Sequence, residues 1–556
     1  MRLALVGQGN EHSTWRCWSD ALSRVASLSI HGTYVLVLRH PRAPGVSEPL
    51  PALVSALGME VVSRPLARFC VKEAAVLALR DCAASGTAPS ATTLAAIDDA
   101  LSHPLDDARS DMDGSPSLCN AWIEMDHTWL DGPHGDAGLC IELKPKAGLL
   151  PAGKPLSEAA PNVCRFCLYA DLKAQRAAVA AAKEAGTSVG VAHYCPLDLY
   201  SADEGRVQRA CEKLVQTPRN NVRVFKAADA SLVYGGKAGA GGEQRRALDA
   251  LVGAAAGEVS GGAFIERVLS RVIMREQPLL QRLLAAQARA TIGSERAAAL
   301  YEHASANLLG GDGTRLDGLI RTWQARCRCH THAARSDVVR CDALDGERAH
   351  DEQLLCVPCP EGCSRPPKDH ALPECVATLA EWLLGLAASD VSLMIALARA
   401  EDGTAREAPG VICFDHAATS APAGSPSVSP ASAKPPPAAS ADGVWRYRVA
   451  VVDTRAKPPA KIREHARLDR EIVEHWTRTA AGAAGSAAAP GRPHTCGPPP
   501  QLKPSVMEPC RNCHLDPLKK ANWHSRADEL NKKLDAMIAA ARERAAREGA
   551  ETRGNV

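Results

Sequence analysis

Residues 140–151 read Cys-Ile-Glu-Leu-Lys-Pro-Lys-Ala-Gly-Leu-Leu-Pro. Ile141 and Leu143 alternate with Glu142 and Lys144, the period of a short strand that carries an acid and a base on one face. The strand ends at Pro145, which keeps the chain extended on either side and projects Lys144 and Lys146 before Gly148 lets the backbone turn. Two fixed ammonium groups beside a carboxylate suit a polyanion such as a phosphate. The same pattern also fits an edge strand whose lysines discourage aggregation.

Around this stretch the chain is long enough, at 556 residues, for two or more lobes with appendages. Its 65 Lys and Arg against 63 Asp and Glu leave a formal charge of +2, which argues against a protein that coats nucleic acid but allows a local basic pocket. No run of about 18 apolar residues would cross a bilayer, and the N-terminal MRLALVGQGNEH turns polar too soon for a signal peptide. The expectation is a monomer in the cytosol or nucleus, without nucleic-acid or membrane partners. In such a compartment the 20 cysteines read as thiols or metal ligands, and seven of them, with His330, His332, His350 and His370, crowd between Cys327 and Cys375.

Upstream, the short apolar run Leu3–Val6 leads into Gly7-Gln8-Gly9-Asn10, and a second strand, Tyr34–Arg39, follows. Strand, glycine turn, strand is the way kinases cover nucleotide phosphates, although most such turns are only turns. Downstream, Cys164 to Lys173 opens an alanine-rich helix. Cys164 and Cys167 have the spacing of half a zinc site, but no matching pair stands nearby in the sequence, and they read as packing thiols. Asn220-Asn221 turns into a strand with Arg223 alternating against Val222 and Val224. Leu279, Leu280, Leu283 and Leu284 form the apolar stripe of a core helix. A helix from Pro373 presents Val376, Leu379, Leu383 and Leu386 on one face and closes at Ser389-Asp390 before the strand from Ser392 to Leu397. Residues 417–441 are mostly Ala, Ser and Pro, an expected disordered insertion. The strand from Trp445 to Val452 ends on Asp453, and Lys457 to Lys461 lead into a helix with Ile472, Val473 and Trp476. A second low-complexity region and an amphipathic helix through Leu530, Leu534, Met537 and Ile538 complete the chain.

In order, GQGN, DHT, IELKPKAGLLP, CRFCLYADLK, PLDLYS, NNVRVF, SDVSLMI and VVDTRAKPPAKIREHARLD resemble the motifs of the inositol-pentakisphosphate 2-kinase family over residues 1–476. The resemblance implies an α+β, two-lobed kinase-like fold with a small β-rich N-lobe over residues 1–143. A larger α/β C-lobe over 144–416 and 444–478 would be split by the insertion at 417–443 and followed by a tail over 479–556. It implies transfer of the ATP γ-phosphate to the 2-hydroxyl of inositol pentakisphosphate, giving the hexakisphosphate. By motif position Asp390 is the base and Asp453 the Mg2+ ligand. Gly7, Gly9, Arg39, Asp126, His127 and Glu142 fall where the family contacts nucleotide. Five phosphates, each with about one and a half to two negative charges, ask for many cations. Lys144, Lys146, Lys173, Arg223, Lys457 and Lys461, with Asn220 and Asn221 as neutral donors, are the expected substrate set. Arg42 and Arg109 are candidates for the arginines with which the N-lobe of family members holds phosphate.

The chain departs from the family pattern at Tyr169, where histidine is usual, at Lys461, where arginine is common, and at His465, where tyrosine is expected. Lys461 keeps the charge but loses the bidentate fork. Some members carry a structural zinc ahead of the base, and Cys356, Cys359 and His370 have about that placement, with a fourth ligand to come from His350, Cys363, Cys341 or the Cys327–His332 group. Cys510, Cys513 and His514 have the spacing of haem attachment, for which a second small metal site or plain chance is the better reading. Two alternatives stand beside the kinase: an inositol-polyphosphate-binding protein of the same fold, and a zinc-dependent interaction protein built on the Cys/His window and the tail helix.

Overall fold

The computed structural model describes residues 2–8, 12–18, 34–39, 50, 53, 57, 62, 67–85, 87–101, 118–125, 127, 130, 138–151, 156–182, 193–236, 241–256, 260–290, 292–326, 371–400, 410–413, 444–484 and 496–500. Gly9, Arg42, Arg109, Asp126, the zinc candidates Cys356, Cys359 and His370, the insertion at 417–443 and the tail helix lie outside them. The fold is mixed α/β and contains two antiparallel sheets.

The first sheet joins β1 (Arg2–Gln8), β2 (His12–Trp18), β3 (Tyr34–Arg39), β4 (Ala67–Lys72) and β5 (Leu118–Met125) in the order β1-β2-β3-β5-β4. Gly7 lies within β1, next to a register irregularity between Leu5 and Gly7. Two helices follow β4. In α1 (Glu73–Ser85) the buried Ala75, Val76 and Leu79 recur at helical spacing. In α2 (Ala91–Leu101), Thr93, Ile97 and Leu101 make one buried face, and Ser90 caps the first turn by accepting the Thr93 N–H at 3.1 Å.

The second sheet contains β6 (Leu139–Leu143), β7 (Val222–Lys226), β8 (Leu232–Gly235), β9 (Ser392–Arg399), β10 (Val411–Cys413) and β11 (Val444–Val452), in the order β10-β11-β9-β6-β7-β8. The strand expected to finish the first lobe is therefore central to this sheet, paired with β7 on one side and β9 on the other. The edge-strand reading of Cys140–Leu143 is overturned for the same reason. All five residues of β6 are buried, Glu142 included, so the strand has no solvated face.

The helices of this part are α3 (Leu156–Ala159), α4 (Arg165–Ala182), α5 (Pro196–Leu199), α6 (Glu204–Gln216), α7 (Gly242–Ala256), α8 (Gly261–Arg275), α9 (Gln277–Gln287), α10 (Ser294–His303), α11 (Gly313–Arg326), α12 (Ala371–Ala388) and α13 (Ala460–Ala484). The predicted stripes on α9 and α12 are core: Leu280, Leu283, Leu284, Leu379 and Leu383 are fully buried in one cluster with Ile141, Leu143 and Leu393 of the sheet. The segment ahead of β4 is tied to the second sheet. Val62 bridges to Val451, the Leu50 N–H donates to the Thr454 carbonyl at 2.8 Å, and Leu53 and Leu57 enter the same core. Among the described residues no helix is long and apolar enough to cross a membrane.

Candidate active site

Antiparallel pairing brings three distant chain positions to one corner of the second sheet. Leu143, the last residue of β6, stands opposite Leu393 near the start of β9, and Ser392, the first residue of β9, stands opposite Val452, the last of β11. The residues just past these ends, Lys144, Asp390 and Asp453, must then converge. Lys144 Nζ lies 3.1 Å from Asp453 Oδ2 and 3.8 Å from Glu142 Oε1. Glu142 also faces Arg223, its cross-strand partner on β7, at 3.1 Å. The Ser392 hydroxyl, fully buried, is 3.0 Å from Glu142 Oε1 and 2.9 Å from Asp453 Oδ2, so its single proton serves two carboxylates.

A second carboxylate centre adjoins the first. Asp390 ends the turn after α12 and receives Lys146 Nζ at 2.9 Å on one oxygen and Lys457 Nζ at 2.7 Å on the other. Burial alone would raise the Asp390 carboxyl, but the two ammonium groups outweigh it and hold the carboxyl well below the usual carboxylate range. Asp453 behaves alike: burial opposes ionisation, while the charge of Lys144 and the hydrogen bonds of Lys144 and Ser392 win and lower it. Burial would lower Lys144, but Asp453, Glu142 and Asp390 overcome that and raise it. Both aspartates are thus ionised, and Lys144 is held in its charged form by its neighbours.

The lysines are positioned by backbone strain and by a polar strap beneath them. Lys146 and Asp453 have φ of 61° and 63°, the left-handed region that non-glycine residues avoid, held here by the packing around them. Tyr194 Oη donates to the Lys144 carbonyl at 2.9 Å and Tyr200 Oη to the Lys146 carbonyl at 3.1 Å. The buried Gln287 amide donates to the Lys146 carbonyl at 3.0 Å, and its oxygen accepts the Gly148 N–H at 2.9 Å. Gly148 is required there because a Cβ would lie 2.6 Å from Tyr200 Cγ and 2.9 Å from Leu284 Cδ1.

Comparison with known proteins decides the family. The family model described as inositol-pentakisphosphate 2-kinase matches residues 69–471, which include β6, both aspartates and the lysines around them. The chain belongs to the inositol-pentakisphosphate 2-kinase family. It is 34% identical to an inositol-pentakisphosphate 2-kinase of Danio rerio over 92 residues, 16% of this chain and 17% of that protein. It is 32% identical to one of Oryza sativa subsp. indica over 124 residues, 22% of this chain and 25% of that protein. A Drosophila melanogaster protein of the same description is 38% identical over 72 residues, 13% of this chain and 10% of that one. The chain thus aligns with a quarter or less of the length of these relatives.

Within this family member the expected site residues fall into groups. Asp390, Lys146 and Lys457 form one ion-paired group, and beside it Asp453, Glu142, Lys144 and Arg223 form a second network with Ser392. Asn221 joins it through its carbonyl, which accepts the Lys144 N–H at 2.8 Å, and Asn220 precedes it in the turn into β7. His127 stands beside β6, its carbonyl accepting the Cys140 thiol at 3.6 Å. Gly7 and Arg39 lie in β1 and β3. Lys173 sits over the Tyr169 ring, 4.3 Å from its centroid, and Lys461 pairs with Glu464 at 2.6 Å, so each is engaged on its own helix. His465 packs edge-on against Trp382 at 5.9 Å. Burial, then the charges of Arg165 and Lys461, depress its imidazole to about 3, so it is neutral.

Sequence reasoning missed Ser392, Gln287, Tyr194 and Tyr200. Ser392 left a signal, a hydroxyl at the head of an apolar strand; Gln287 left none, because a glutamine on a helix is ordinarily solvated. Cys164 and Cys167, read as packing thiols, are fully buried in a core cluster, and the partners that the sequence did not show nearby are Cys195 and Cys496. The four sulfurs gather into one cluster, all within 4.8 Å of one another, an arrangement compatible with zinc.

Proposed function

We propose that this chain is an ATP-dependent kinase that phosphorylates the 2-hydroxyl of inositol 1,3,4,5,6-pentakisphosphate, with the first sheet as the nucleotide-covering lobe of a kinase-like fold. The observation that carries the reading is the pair of ionised aspartates at one corner, each held by lysines from the same strand end. Phosphoryl transfer needs positioning and charge neutralisation, with one carboxylate to take the hydroxyl proton and another to hold the metal.

Asp390 is the proposed base. Lys146 and Lys457 neutralise it before substrate arrives, and they are also the cations nearest to an anion docking there. A phosphate that draws them away restores the basicity of Asp390 at the moment the hydroxyl is in place. Asp453 is the proposed magnesium ligand. Its surroundings fit a hard cation, since the Ser392 hydroxyl and the Glu142 carboxylate supply further oxygen donors and no sulfur is among them. Magnesium bound there would neutralise charge on the transferring phosphate. Lys144, released from Asp453, and Arg223 then face phosphate oxygens.

The test is incubation with magnesium-ATP and inositol 1,3,4,5,6-pentakisphosphate, with products separated by anion exchange. Hexakisphosphate is expected, and Asp390→Asn should lower turnover by about 10²–10⁴-fold, the usual worth of general base catalysis. Unchanged turnover in that variant would remove Asp390 from the role. Binding of the pentakisphosphate without product would leave a binding protein of the same family.

A further inference from the structure

We propose that Cys164, Cys167, Cys195 and Cys496 form a closed four-thiolate zinc site that clamps the segment beyond α13 onto the back of the phosphate corner. It would share no ligand with Cys356, Cys359 and His370.

The four sulfurs come from three separate places. Cys164 and Cys167 flank the start of α4, Cys195 precedes the proline that opens α5, and Cys496 arrives 332 positions after Cys164. All four are reduced. A tetrahedral zinc with bonds of about 2.3 Å sets its sulfurs about 3.8 Å apart. A cluster already within 4.8 Å on every pair reaches that geometry by small side-chain rotations. Zinc is the fitting cation because soft thiolates select it over magnesium or calcium, and four sulfur ligands leave no open position.

Two further features suit thiolates rather than packing thiols. Backbone N–H groups point at the sulfurs: Cys164 N–H donates to Cys496 Sγ at 3.3 Å and Cys167 N–H to Cys164 Sγ at 3.4 Å. Such donors offset the negative charge that four thiolates bring to one metal. Cys496 also lies in the sequence Thr-Cys-Gly-Pro-Pro-Pro, which has no apolar side chain besides its prolines to pull it into a core. It is nonetheless fixed, with its N–H on the Asn162 carbonyl at 3.1 Å and Arg206 Nη1 donating to the Pro498 carbonyl at 3.0 Å. On metal binding each thiol gives its proton to solvent, so the site strengthens as pH rises.

The place in the fold suggests a purpose. Tyr194, which holds the Lys144 carbonyl, is the residue before Cys195, and Arg165, which ion-pairs with the buried Asp469 of α13 at 2.6 Å, follows Cys164. Zinc would therefore stiffen the support under the lysines, a consequence that rests on the phosphate-site reading, whereas the metal site itself does not.

The experiment measures zinc by mass spectrometry of the full chain, purified with reductant and dialysed against EDTA. Cys164→Ser/Cys496→Ser is expected to lose one zinc per chain relative to wild type, while Cys356→Ser/Cys359→Ser keeps that equivalent. Cobalt substituted into wild type should show sulfur-to-cobalt charge transfer that the first pair of changes abolishes and the second leaves in place. If the double variant fails to fold, Cys496→Ser alone, at the partly exposed ligand, should release zinc to chelator at least tenfold faster, and Cys82→Ser should release it at the wild-type rate. Unchanged zinc content or release, or alkylation mapping of these cysteines as disulfides, would overturn the proposal. None of these readouts depends on kinase activity.

Discussion

Replacing Ser392 by alanine tests the corner at its least replaceable atom. The hydroxyl lies between Glu142 and Asp453, but it has one proton, so the two contacts cannot both be full hydrogen bonds and their energies do not add. One hydrogen bond to a carboxylate is worth about 1.5–3 kcal/mol, and both acceptors keep cationic partners in Lys144 and Arg223. The expected loss of stability is therefore about 2 kcal/mol rather than twice that. Urea unfolding followed by tryptophan fluorescence should show it as a lower midpoint at unchanged slope. Without the hydroxyl, two carboxylates face each other with one fewer donor, Asp453 becomes easier to protonate, and its orientation loosens. Turnover at saturating magnesium should fall about tenfold, equivalent to about 1.4 kcal/mol of barrier, with a higher magnesium requirement. Ser389→Ala is the control, since that hydroxyl returns only to the Gly385 carbonyl of its own helix, and its cost should stay within about 0.5 kcal/mol. If Ser392→Ala unfolds and turns over like the control, the hydroxyl does not organise the two carboxylates and the proposed metal corner fails.

Three further outcomes follow from the same geometry. Gly148→Ala drives a methyl group into Tyr200 and Leu284 and should cost about 1–3 kcal/mol by urea unfolding while raising the KM for the pentakisphosphate. Lys457→Met removes one of the two cations on Asp390; the carboxyl of the free enzyme rises toward its ordinary value, so the acid limb of the kcat/KM profile moves to higher pH, and KM should increase roughly ten- to a hundredfold for one lost charged hydrogen bond. His465 is neutral with a folded value of about 3 against 6.5 unfolded, so the unfolded chain takes up the proton first. Its contribution is complete above pH 6.5 and is lost as pH falls toward 3, by up to about 1.4 kcal/mol per pH unit. His465→Phe, which keeps the packing on Trp382, should flatten the fall in stability between pH 7 and 5 relative to wild type.

Much of the fold was legible before folding. The helical stripes at 279–284 and 376–386, the turn into β7 and the strands ending at Val452 and Leu397 all sit near where periodicity and turn residues placed them, because those signals are local. The motif order was also legible, since a family signature is carried by residue types at fixed spacing. What the chain could not disclose was pairing. Whether Cys140–Leu143 is an edge or a central strand depends on β7 and β9, whose residues lie about 80 and 250 positions away, and hydrogen-bond partners at that distance leave no trace in a strand's own alternation.

The same division runs through the site. The sequence by itself determined that lysines stand at 144, 146 and 457 and aspartates at 390 and 453, residue types that together suit phosphate chemistry. Only the tertiary structure decided that Lys146 and Lys457 share Asp390, that Lys144 takes Asp453, and that Ser392 lies between Asp453 and Glu142. It alone gathered Cys164 and Cys167 with Cys195 and Cys496. The reason is physical: charge and ligand chemistry act over a few ångströms, and the distance between two groups is set by the whole sheet and the helices packed on it, not by their separation along the chain.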